Sequence, residues 1–264
     1  MRSLRPFLLI VGILQFVLAA GFFFQQSWAL SLWPVPDTPL SYAFIAAILG
    51  GGAAPLLWIG LSERWEGLAG YGLSFGIMYT GMALSAFIFY LRSQQTTLLV
   101  FALVIGAVAL VCAFLFARAR SIVAPNQLTP QIVRLAFVLE ALILAGAGLL
   151  LLWKVPNTLP WNLSPESSVL YGWVFLGLAF YYLYAVLNPL WNHALGPLLG
   201  FLVYDLILFS PLFARFGNLQ PEHIPGQVAA SVIIIFSATL GVYYLFINPV
   251  TRLGASSSLR RNSP

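Results

Sequence analysis

Leu98-Leu99-Val100-Phe101-Ala102-Leu103-Val104-Ile105-Gly106-Ala107-Val108-Ala109-Leu110-Val111-Cys112-Ala113-Phe114-Leu115-Phe116-Ala117 contains no charged, hydroxyl or amide side chain. As a helix rising 1.5 Å per residue, such a run covers about 30 Å, the thickness of a bilayer's hydrocarbon core. Seven further runs of similar length fill most of the chain: Phe7 to Ser27, Leu40 to Leu61, Ala69 to Leu91, Ile132 to Trp153, Val169 to Asn188, Ala194 to Ala214 and Val228 to Ile247. Hydrophobic residues make up 61% of the 264 and charged ones 7%, so a soluble domain of this size would have almost nothing to place on its surface. Lipid offers the backbone no hydrogen-bond partner, and the alternation of a membrane barrel is absent. The reading is all-α: a polytopic helical bundle with eight transmembrane helices.

Orientation follows from the cations, because Lys and Arg flanking short loops stay on the cytoplasmic side. With both termini inside, Arg2, Arg5, Arg64, Arg118, Arg120, Arg134, Arg252, Arg260 and Arg261 face the cytoplasm. Only Arg92, Lys154 and Arg215 face outward. This bias and the headgroups of the lipid bilayer account for the net charge of +5, and no basic patch with interleaved aromatics points to nucleic acid. Trp28, Trp33, Trp153 and Trp161 at outer span ends, and Trp65 and Trp191 at inner loops, read as interfacial anchors. The first span follows Arg2 and Arg5 as a secretory signal would. Its apolar core is longer and no clean cleavage site follows, so it is expected to remain as a helix.

Two outer loops share a pattern. Trp33, Pro36, Asp37, Thr38 and Tyr42 are matched by Trp161, Pro165, Glu166, Ser167 and Tyr171, and Arg5 with Arg134, Trp65 with Trp191, Gly70 with Gly196 and Phe75 with Phe201 extend the match. An even number of spans separates these points, so a duplication would give parallel 4+4 repeats about an axis along the membrane normal. The expected organisation is residues 1–117 as the first repeat, 118–131 as a cytoplasmic linker, 132–251 as the second repeat and 252–264 as a disordered basic tail. Asp37 or Thr38, and Glu166 or Ser167, stand where helices begin and are expected to cap them rather than to catalyse.

Leu32-Trp33-Pro34 and Thr38-Pro39-Leu40 make the first outer loop similar to that of a group of uncharacterised bacterial multi-span membrane proteins. The resemblance covers this one loop and implies a bacterial membrane location, with no activity or site residues.

Glu140 and Asp205 are the carboxyls well inside spans, each expected about 12 to 16 Å from a helix start. A buried carboxylate in hydrocarbon is expensive unless paired, hydrated or neutralised, and no Lys or Arg lies at that depth, so one or both acids are expected to be neutral. Two readings stay open: a proton- or cation-binding pair, or two neutral acids hydrogen-bonded to backbone or to Tyr and Ser neighbours. Gly50, Gly51 and Gly52, followed by Pro55, permit a kinked or broken helix. Facing Tyr181 and Tyr184 of the sixth span, they would line a cavity for a hydrophobic or cationic ligand, although close helix packing uses the same residues. Gly72, Gly76 and Thr80 form a packing stripe.

No metal or cofactor is expected. His193 and His223 fall on opposite membrane faces, the single Cys112 forms no cluster, and nucleotide-binding and hydrolase motifs are missing. Three function classes follow: a carrier or channel for a small solute, proton-coupled if the two acids meet; a non-catalytic membrane subunit or scaffold; and a lipid-modifying membrane enzyme. The enzyme reading is the weakest, its only candidate cluster being the Asn188 to His193 turn.

Overall fold

A computed structural model describes residues 4–253; the basic tail expected over 252–264 lies largely outside this range. Eight helices long and apolar enough to cross a membrane form the bundle, and no strand is present among the described residues. They are α1 (Arg5–Phe23), α3 (Pro39–Ser62), α4 (Gly67–Ser93), α5 (Thr96–Ala119), α6 (Gln131–Leu152), α7 (Pro165–Leu187), α8 (Trp191–Phe213) and α9 (Ile224–Val242). A short α2 (Ser27–Leu30) lies in the first loop, and a π-helical turn, Tyr243–Ile247, extends α9. One side of the bundle carries Trp33 and Trp161, the other Arg64 and Trp191. These are called the Trp33 side and the Arg64 side.

Two helix starts show how local chemistry sets the boundaries. Thr38 Oγ1 accepts from the Ser41 amide at 3.3 Å, Ser164 Oγ accepts from the Ser167 amide at 3.0 Å, and a proline follows each cap. The second cap is therefore Ser164. Glu166 and Ser167, the expected candidates, lie inside the first turn of α7. The two caps are 126 residues apart, the same spacing as Trp65 and Trp191, whereas the hydroxyl-to-Tyr pattern had aligned the loops three residues out of step.

Helices α1 and α3 pack together, as do α4 and α5, α6 and α7, and α8 and α9. These pairs join through α4 against α7 and α3 against α8. The four central helices α3, α4, α7 and α8 are accordingly the most buried. Between helices in lipid there is little hydrophobic driving force, so close backbone approach at small residues decides the seams. A Cβ on Gly51 would stand 2.8 Å from the Gly200 carbonyl, and one on Gly200 would stand 2.7 Å from the Gly51 carbonyl. Gly148 and Gly172 make the same reciprocal contact between α6 and α7, and Gly72 lies against the Cys112 carbonyl of α5.

Two expectations change. Helix α3 runs unbroken through Pro55, because Gly51 must stay helical to meet α8. Trp161 and Trp191 are not interfacial anchors: they are 5% and 3% exposed, Trp161 packing on Phe44 and donating to Ser41 Oγ at 2.9 Å. Trp28 and Trp153 are exposed as anchors require. The segment between α5 and α6 is tied down, since the Trp191 amide donates to the Gln127 carbonyl at 2.8 Å and the Thr129 amide to the Pro189 carbonyl at 3.0 Å.

Candidate functional site

Glu140 on α6 and Asp205 on α8 are 4% and 1% exposed within the bundle. Helix α8 begins at Trp191, three residues earlier than its apolar run suggested, because the buried Trp191, Asn192 and His193 form its first turn. Asp205 thus sits about 21 Å along α8 and Glu140 about 14 Å along α6, both counted from the Arg64 side. No hydrogen bond joins them, yet they lie within electrostatic range of one another, and Tyr182 and Tyr204 stand in the field of both.

Asp205 Oδ2 accepts from Ser237 Oγ of α9 at 2.7 Å. Its Oδ1, and Glu140 Oε2, are buried and receive no hydrogen bond from the described residues. Tyr182 packs between Phe137 and Phe201, with ring centroids 4.9 and 5.5 Å away. Four helices therefore converge on the two acids. Their bare carboxyl oxygens can take up a proton or hold a small cation, since burying an uncompensated carboxylate costs several kcal/mol, about 3 to 5 kcal/mol when one partner of a buried pair is lost.

The glycine–tyrosine reading divides. Gly51, Gly52 and Tyr181 border an internal cavity of about 20 Å³ with Phe75, Gly200 and Tyr204, large enough for one water. Gly50 lies outside it, beneath Ile207, and Tyr184 turns toward His193, whose ring it meets edge-on at 5.4 Å. The Tyr181 hydroxyl is buried without a partner among the described residues, against Gly196. The Gly72 and Gly76 stripe faces Cys112 of α5 as a packing seam.

A second polar cluster joins the Asn188 to His193 turn to Arg64 and Glu66, which the sequence reading had not connected with it. At the Arg64 side, Asn192 Nδ2 donates to Glu66 Oε1 and Arg64 Nη1 donates to Asn192 Oδ1 at 2.8 Å. Glu66, Asn192 and His193 are all buried, and His193 lies against the Glu66 backbone. One signal was available: Glu66 and Asn192 directly follow Trp65 and Trp191, so they occupy matching positions 126 residues apart. Ser237 carried no such mark, being one of three hydroxyls on α9 beside Ser231 and Thr239. No protein-family model, curated protein or solved structure matches this chain.

Proposed function

We propose that this multi-pass protein is a carrier of the bacterial cell membrane, with both termini cytoplasmic, that moves a small solute coupled to a proton or cation held by Glu140 and Asp205. One observation carries the reading: two carboxyl groups on different helices, buried where no Lys or Arg among the described residues reaches, each with an oxygen that no donor among them satisfies. An acid whose only task is structural gains most by satisfying both oxygens, as a half-satisfied buried network is worse than an apolar core.

The reading includes an ancestral duplication into parallel four-helix halves, which supports a carrier built from two bodies that rock against each other. Its support is the crosswise packing. Gly51 meets the Gly200 carbonyl, and Gly177, 126 residues after Gly51, meets the carbonyl of Ser74, 126 residues before Gly200. Each half thus lends its second helix to the third helix of the other.

Purified protein in liposomes, given an imposed pH gradient and a panel of amino acids, sugars and organic cations, tests the reading. Accumulation of at least one solute, lost in Asp205→Asn and Glu140→Gln, is the expected result. A scaffold gives the opposite ranking: both acid variants keep cellular function, and packing variants such as Gly76→Leu abolish it. The Asp205–Ser237 hydrogen bond is the observation that favours this second reading.

A further inference from the structure

A cavity of about 490 Å³ lies away from the two acids, in the half of the bundle nearest the Trp33 side. It is enclosed by α1, α3, α4, α5 and the start of α7, and runs along α5 from Thr96 to Ile105, about 14 Å. Its volume falls in the range of small-molecule sites, roughly 300–1,000 Å³. Helices α1 and α5 pack on α3 and α4 rather than on each other, which leaves a gap between them. Val100 and Val104 of α5 line the cavity and are also 54% and 57% exposed on the flank of the bundle. The gap therefore opens sideways, at the depth of lipid chains.

Polarity within the cavity is graded. Ser31, Trp33, Thr96 and Thr97 gather at its Trp33-side end, while Ile48, Met78, Met82 and Ile105 make the deeper walls largely apolar, Tyr79 bringing a hydroxyl at that depth. Trp33 Nε1 is buried and donates to no acceptor among the described residues. An indole N–H can only donate, so an occupant that satisfies it must bring an acceptor oxygen. Arg92, exposed in the last turn of α4 and four residues before Thr96, adds a cation at the same end. No carboxylate lines the cavity. From this gradient we infer that the cavity is a binding site for a single glycerophospholipid, one acyl chain lying between α1 and α5. Its ester or phosphate oxygens meet the Thr96–Thr97 hydroxyls, near Arg92, and reach Trp33 Nε1 once the indole turns toward the cavity. Water or a sugar would leave the deep apolar walls uncovered, and a plain hydrocarbon would leave the indole N–H without an acceptor.

Reconstitution of the full chain into phosphatidylcholine vesicles doped with phosphatidylglycerol bearing a mid-chain diazirine tests this site. Photolysis and peptide mapping compare Met82 and Ile45, which line the cavity and are 4% and 7% exposed, with Leu103, on the outer face of α5. Adducts on Met82 or Ile45 at a yield equal to or above that on Leu103 are expected. Ile48→Trp, which fills the cavity, lowers them at least tenfold while Leu103 labelling persists. Trp33→Phe keeps an aromatic ring, smaller than the indole, and removes the donor, and lowers them about two- to tenfold, the value of one hydrogen bond. Adducts confined to exposed residues, or unchanged labelling in both variants, overturn the proposal. So do Val104→Cys disulfide dimers that abolish Met82 labelling, since a second copy then fills the gap. None of these readouts depends on solute uptake, so the site stands or falls separately from the carrier reading.

Discussion

Gly51 of α3 and Gly200 of α8 meet backbone to backbone, each occupying the space that the other's Cβ would need. Two halves of the chain are thereby held together at a point where neither residue offers a side chain. A methyl group on either must push a main-chain carbonyl, which cannot rotate away as a flexible side chain can.

Gly51→Ala and Gly200→Ala are expected to destabilise the detergent-solubilised protein by about 1 to 3 kcal/mol, the range for overpacking. Gly146→Ala, whose new methyl meets nothing within 4 Å, serves as the contrast. It should be neutral or stabilising by up to about 1 kcal/mol through helix propensity. Thermal unfolding midpoints of the three variants check the ranking.

Ser237→Ala removes the donor to Asp205 Oδ2 and leaves both oxygens of that carboxyl without a protein partner. A stability loss of about 1 to 3 kcal/mol follows from stranding a buried polar group. Asp205→Asn keeps the volume and cannot ionise, so its unfolding midpoint should match or exceed wild type. Differential scanning fluorimetry on both variants reads the sign.

At the Arg64 side, Asn192→Leu removes one amide donor from buried Glu66 and one acceptor from Arg64, and should cost about 1.5 to 3 kcal/mol. Asn192→Asp alone sets one carboxylate against another and should also destabilise. Adding Glu66→Gln to it returns an amide–carboxylate pair of reversed direction. Recovery of most of the lost stability in the double variant is the expected outcome, measured as a double-mutant cycle.

If α4 against α7 and α3 against α8 hold the halves together, the chain should tolerate a break in the segment that joins them. Residues 1–124 and 125–264, expressed together from separate genes, are expected to copurify through a tag on either one. Expressed singly, each half exposes two seams of small residues and should be degraded or aggregate. Failure of the coexpressed halves to associate counts against the crosswise arrangement.

Much of this fold was legible in advance because crossing a bilayer is a local property. Twenty apolar residues meet the requirement whatever surrounds them, and all eight spans were readable to within a few residues, the largest slips falling at the end of α1 and the starts of α7, α8 and α9. The starts of α7 and α8 slipped because Trp191, Asn192, Pro165 and Glu166 look like loop by composition, yet are helical in the fold. Glu140 and Asp205 stood out for the same local reason, as acids in apolar runs. Their shared environment did not: that Ser237 serves one of them and that Tyr182 and Tyr204 lie in the field of both depends on how α6, α7, α8 and α9 face each other.

Hydropathy and charge, read along the chain, therefore determined the number of helices and the acids to watch. Tertiary structure alone decided that Gly51 meets Gly200, that Glu66 meets Asn192, and that a cavity opens between α1 and α5. Greasy helix faces are energetically nearly alike toward lipid and toward one another. The choice among them rests on a few small residues and buried polar contacts distant in sequence, whose partners no local pattern names.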